Sequence, residues 1–162
     1  MDGWLIMAIK RPRFNDKRKR YQKKRTGRSG KFKQGFFTQI SEKYVQPKNK
    51  YMNSQEFPQY RSSWELQFMK YCEASEIVKK WTVESISIPY ISPKDGQPHR
   101  YFPDFALEMN DGKKYLIEIK PYNQTNNPIN KAKWEAAEMW CKRNDFKFLV
   151  VTEKELKEWR II

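Results

Sequence analysis

Residues Tyr101 to Lys120 read YFPDFALEMNDGKKYLIEIK, and their reading decides the fold. Two runs of alternating apolar and polar residues flank Asn110-Asp111-Gly112, the composition of a short hairpin loop. With Gly112 supplying the left-handed position of a bulged turn, strands over Tyr101–Met109 and Lys114–Lys120 pair in a fixed register. Phe105 then opposes Ile117, Leu107 opposes Tyr115, Pro103 opposes Ile119 and Glu108 opposes Lys114. The same register sets Asp104 opposite Glu118. One face of the hairpin is wholly apolar, and the other carries Asp104, Glu118 and, two residues further along, Lys120.

Like charges directly opposed on a sheet repel, which raises one pKa or calls for a cation between them. Magnesium suits that need, because it takes one or two carboxylates, keeps several waters and finds other ligands on a substrate phosphate. Glu118-Ile119-Lys120 alone is a weak signal, since an acid two residues before a lysine is common on any half-exposed strand. The pairing with Asp104 is what makes the triplet informative.

Outward from the hairpin, Ser62-Ser63-Trp64-Glu65 opens a helix whose apolar Trp64, Phe68, Tyr71 and Cys72 recur at helical spacing, ending near Ser75. Trp81–Tyr90 alternates as a strand and runs into the turn Pro93-Lys94-Asp95-Gly96. Asn130–Arg143 is a second helix. Phe146–Val151 is a short strand, expected at the sheet centre because both its faces are apolar. Thr152-Glu153-Lys154-Glu155 has the capping-box pattern and starts a last helix carrying Leu156 and Trp159. The order is α, three β, α, β, α: an α/β domain over residues 61–162 with a mixed sheet flanked by helices.

The chain has 162 residues and a formal net charge of +14, very unevenly placed. Residues 1–60 hold 16 basic and 4 acidic side chains, whereas residues 61–162 hold 17 and 15. Residues 1–34 read as a disordered basic arm, too poor in apolar groups to offset the entropy of ordering. Its Lys10, Arg11, Arg13, Lys17, Arg18, Lys19, Arg20, Lys23, Lys24, Arg25, Arg28, Lys31 and Lys33 suit the phosphates of DNA. The arm has no amphipathic apolar face for a membrane. Residues 35–60 form an extended connector lying on the core. No apolar run approaches the roughly 20 residues of a membrane span, MDGWLIMAIK is wrongly built for a secretory signal, and Met7 is an alternative start. Cys72 and Cys141 read as buried free thiols, and one histidine without paired cysteines gives zinc no support.

Glu65 has two readings that are compatible: the third residue of a capping box begun by Ser62, or a carboxylate reaching a metal or its water. His99, just before the hairpin, reads as a surface or phosphate-contacting residue rather than a ligand. Arg100, Gln124, Lys131 and Lys133 are further candidate DNA contacts, or solvated surface residues.

Pro103-Asp104, thirteen residues, then Glu118-Ile119-Lys120 resembles the PD-(D/E)xK signature of the restriction-endonuclease-like superfamily, and the α-βββ-αβ-α order resembles its core. Longer strings are more specific: Tyr60-Arg61-Ser62-Ser63-Trp64-Glu65, Phe68-Met69-Lys70-Tyr71-Cys72, Ile88-Pro89-Tyr90, His99-Arg100-Tyr101-Phe102-Pro103-Asp104-Phe105 and Tyr115-Leu116-Ile117-Glu118-Ile119-Lys120-Pro121. These resemble the head completion nucleases of T-even-type tailed phages. The resemblance implies a metal-dependent DNA endonuclease of virion assembly, with Glu65, Asp104, Glu118 and Lys120 catalytic. It implies magnesium, replaceable by manganese, on Asp104, Glu118 and the Ile119 backbone carbonyl, with Glu65 a further donor. Portal or neck proteins are the implied partners, and the host cytoplasm or the virion the implied place. Two other readings stand beside it: a structural head plug with an idle nuclease fold, and a junction-resolving nuclease.

Overall fold

The computed structural model describes residues 34–47 and 56–162. Every Lys and Arg named in the basic arm, Lys10 to Lys33, lies outside the described residues. The connector contributes strand Gly35–Phe36 (β1), which pairs antiparallel with Gln59–Tyr60 (β2). Helix α1 then spans Ser63–Ala74. Strand β3 is Val78–Val83, followed by a separate hairpin of Ile88–Ile91 (β4) and Pro98–Tyr101 (β5). The decisive hairpin is Phe105–Met109 (β6) and Lys114–Ile119 (β7). Helix α2, Pro128–Asn144, leads to β8, Lys147–Val151, and to helix α3, Glu153–Glu158.

The main sheet runs β3-β6-β7-β8. Its first three strands are antiparallel neighbours and β8 joins β7 in parallel, so the sheet is mixed, as a β-α-β crossover through α2 requires. The expected hairpin register holds over β6, where Phe105 pairs with Ile117, Leu107 with Tyr115 and Glu108 with Lys114, while the expected pairs Asp104–Glu118 and Pro103–Ile119 fall beyond the end of the ladder. Gly112 sits at φ 85° in the turn, a conformation that a β-carbon would resist. Alternation then sends Phe105, Leu107, Tyr115, Ile117 and Ile119 to one face, where they pack with Phe68, Met69 and Cys72 of α1 and with Leu156 of α3. The opposite face places Leu116 against Ala137 and Cys141 of α2. Each fully buried large side chain of this kind contributes about 1.5–3 kcal/mol.

The connector does lie on the core. Val45 N–H donates to the Trp81 carbonyl and Trp81 N–H to the Lys43 carbonyl, both at 2.9 Å, while the Tyr44 ring meets the Trp81 ring with centroids 4.9 Å apart. A short piece of chain thus borders the outer edge of β3.

Four expectations need correction. The strand expected over Trp81–Tyr90 is two strands in two sheets, because Glu84 adopts φ 42° and turns the chain away. It also begins earlier, at Val78; a bulge between Val78 and Lys80 breaks the alternation that would announce it. The strand expected over Tyr101–Met109 is likewise divided, with Tyr101 closing the β4–β5 hairpin against Ile88 and Phe105 opening β6. Finally, β8 is an outer strand rather than a central one. Its apolar faces are explained by helices packing on it from both sides, α2 and α3. The central strand with continuous burial is β7. Cys72 and Cys141 are buried free thiols, as expected.

Candidate active site

The site gathers at the end of the β6–β7 hairpin remote from its turn. Regular pairing stops at Phe105 and Ile117, and Asp104 lies one residue beyond it. Its carboxylate accepts the Ile119 backbone N–H at 2.7 Å, which takes the place of a ladder bond and fixes the side chain beside β7. Asp104 as a residue keeps some exposed surface, but its carboxyl is enclosed. Burial, the neighbouring Glu118 charge and then Glu65 push its pKa well up, and the Ile119 N–H and Lys120 oppose that rise only in part.

Glu118 is 5% exposed and fully engaged. One carboxylate oxygen meets Lys120 Nζ at 3.1 Å, and the other accepts the Tyr101 hydroxyl at 2.8 Å. It therefore points neither into the apolar core nor freely into solvent. Tyr101, itself 4% exposed, has its phenol pushed up in pKa by burial and by Glu118, so it stays protonated and donates.

Glu65 enters from the first turn of α1. Its backbone N–H donates to Ser62 Oγ at 3.1 Å, and the Ser62 hydroxyl donates to Glu65 Oε1 at 3.2 Å. Its other oxygen accepts the Arg61 N–H at 2.7 Å, so the reciprocal bond closes on Arg61 rather than on the cap residue. The capping reading of Glu65 is thus realised in a shifted form. Burial raises its pKa, the Arg61 N–H and Ser62 oppose, and the Glu65 charge reaches Asp104. Arg61 also forms an ion pair with Glu84, tying the start of α1 to the point where β3 turns away.

Asp104 thus feels the charges of both Glu118 and Glu65, and Lys120 sits on Glu118. Residues 75–153 match the family described as TnsA-like endonuclease N terminal. The chain is 30% identical over 135 residues to the head completion nuclease of Enterobacteria phage T4, an alignment covering 68% of this chain and 90% of that protein. The chain belongs to the head completion nuclease family.

Two neighbours of the site in this head completion nuclease family member have no local signal for the part they take. The run that reads as one strand divides between Tyr101 and Phe105, and Tyr101 meets Glu118. Arg61 precedes the helix cap, and its ion pair with Glu84 joins residues 23 positions apart. His99 pairs with Asp95 at 2.8 Å and is exposed, in keeping with a surface role. Arg100 donates to Ser87 Oγ at 2.9 Å. Lys133 lies over the rings of Tyr90 and Tyr101, 5.8 and 5.7 Å from their centroids. Gln124, in the turn ahead of α2, and Lys131, in the first turn of α2, are exposed.

Among the described residues, no three His, Cys, Asp or Glu side chains converge closely enough to hold an ion unaided. A hydrated magnesium, bound by one or two carboxylates and completed by substrate oxygens, asks for less. Asp104 and Glu118, mutually repelling and partly desolvated, fit that kind of ion and not a closed protein cage.

Proposed function

We propose that this protein is a magnesium-dependent DNA endonuclease that acts on packaged phage DNA at head completion. The observation that carries this reading is the placement of Asp104, held on the Ile119 N–H, beside the Glu118–Lys120 ion pair at one end of the hairpin, in a chain related over most of its length to a protein named as a head completion nuclease. Asp104 and Glu118 would hold the ion, with the Ile119 carbonyl and Glu65 as further donors and manganese as a substitute. When bound, it would neutralise charge developing on the phosphodiester oxygens.

The remaining work falls to side chains of the chain itself. Lys120, anchored on Glu118, orients the attacking water and stabilises the pentavalent phosphorus state. Glu65 receives or holds the proton that the water gives up, the P–O bond opposite the water breaks, and the leaving sugar oxygen takes a proton from solvent. The basic arm holds the DNA backbone through counterion release, independently of sequence. Docking on a portal or neck protein would bring the site to the packaged DNA.

The test incubates the full chain and its Asp104→Ala variant with linear, circular and branched DNA, in magnesium or in chelator. Cleavage by the wild type alone, and only with magnesium, is the expected result. Equal inactivity of both under every condition would leave the head-plug reading in its place, and preference for branched DNA would favour a junction-resolving role.

A further inference from the structure

The β4–β5 hairpin is a separate sheet that packs on the α2 side of the main one, Ile88 and Tyr101 joining Leu116, Ala137 and Cys141 in one cluster, and its last residue touches the centre of the site. Tyr101 Oη donates to one oxygen of Glu118 at 2.8 Å while Lys120 Nζ meets the other at 3.1 Å. With both oxygens engaged from different elements, the plane of the carboxylate is fixed. The tyrosine is fixed in its turn. It is 4% exposed, paired in the ladder with Ile88, and covered by the Lys133 ammonium 5.7 Å from its ring centroid. The Trp134 indole also approaches the hydroxyl, although its N–H falls short of good hydrogen-bond geometry.

We propose that Tyr101 is a positioning residue for Glu118, holding it in the orientation in which it binds a divalent ion, so that the β4–β5 hairpin is a working part of the site. The proposal rests on the nuclease reading above. The bland account is that a buried phenol must find some acceptor and that Glu118 is the nearest. Nothing in that account requires the acceptor to be the residue whose geometry the chemistry depends on. Carboxylates that bind metals commonly have an oxygen hydrogen-bonded by a neighbour, and removing such partners typically costs about 10–100-fold in metal affinity or activity.

The hydroxyl is removed alone by Tyr101→Phe, in the full chain. Manganese binding is measured by calorimetry, and single-turnover DNA cleavage is followed across a magnesium series. The expected result is a melting temperature near that of the wild type, manganese affinity lower by about tenfold or more, and cleavage partly restored at high magnesium. A second variant, Val78→Ala, lowers stability from the other core cluster without touching the hairpin and is expected to keep wild-type affinity. Unchanged affinity and magnesium dependence in Tyr101→Phe would overturn the assignment. So would an equal loss in Val78→Ala, which would reduce the effect to stability. A wild-type protein that bound no manganese and cut no DNA would sink the nuclease reading and this assignment together, whereas a working wild type with an indifferent Tyr101→Phe sinks the assignment alone.

Discussion

The Asp104 carboxylate and the Ile119 N–H are joined at 2.7 Å where the β6–β7 ladder has already ended. One side chain thus completes the backbone of β7 and presents a charge beside Glu118. The two roles separate by substitution. Asp104→Asn keeps an acceptor for Ile119 and removes the charge, whereas Asp104→Ala removes both. Each is expected to abolish magnesium-dependent cleavage, by about 10²-fold or more for loss of a positioned acid-base or ligand group. In stability they should differ, with the alanine variant below the asparagine variant by roughly 1–3 kcal/mol, the cost of an unpaired buried N–H. Urea unfolding of the two variants side by side measures that gap, and equal midpoints would mean the bond adds nothing.

The enclosure of Asp104 also gives the protein a pH signature. Burial first, then Glu118 and Glu65, raise the carboxyl pKa above its unfolded value. A group shifted in that direction contributes its full stability below the unfolded pKa of about 3.9 and loses it as pH rises through the native value. In chelator, the stability of Asp104→Asn relative to the wild type should therefore increase from about pH 4 toward neutrality. Taking the difference between the two proteins cancels the carboxylates shifted the other way, such as Asp95, Glu108 and Glu153. A difference that stays flat with pH would show an ordinary carboxyl.

Glu65→Gln separates capping from chemistry. Glutamine can still accept the Arg61 N–H on its amide oxygen and donate its NH2 to Ser62 Oγ, so the melting temperature should hardly move. Loss of the negative charge is expected to lower cleavage by about 10²-fold or more. Assays across magnesium concentrations then distinguish weakened ion binding from lost proton transfer. Wild-type rates would return Glu65 to a purely structural role.

Deleting residues 1–34 removes the thirteen Lys and Arg between Lys10 and Lys33 and spares the connector on the core. Each phosphate neutralised on duplex DNA steepens the salt dependence by roughly 0.9 in log–log slope. The truncated chain should bind DNA more weakly with a flatter slope, while keeping its response to magnesium. Unchanged binding at moderate salt would mean that the arm serves another target.

The hairpin register was legible because Asn110-Asp111-Gly112 fixes the turn and alternation fixes the faces, two local signals that agree. What escaped were departures from regularity. Nothing in Val83-Glu84-Ser85 announces that a glutamate will adopt a left-handed conformation, since the Arg61 ion pair accompanying that turn joins residues 23 positions apart. The place of β8 was misread for a related reason. Apolar faces report coverage, and helices cover an outer strand as well as neighbouring strands cover a central one. Asp104, Glu118 and Lys120 were found from spacing. Tyr101 was not, because its partner depends on where one strand ends and another begins.

The stretch Lys43–Val45 occupies the outer border of β3, with Trp81 bonded to it through both backbone groups. A cut beyond Val45 would leave those groups on Trp81 without partners, along a border of the kind that recruits a strand from another molecule. The same few residues that lead into the core therefore also cover an edge at which a strand of another molecule would otherwise find open backbone groups.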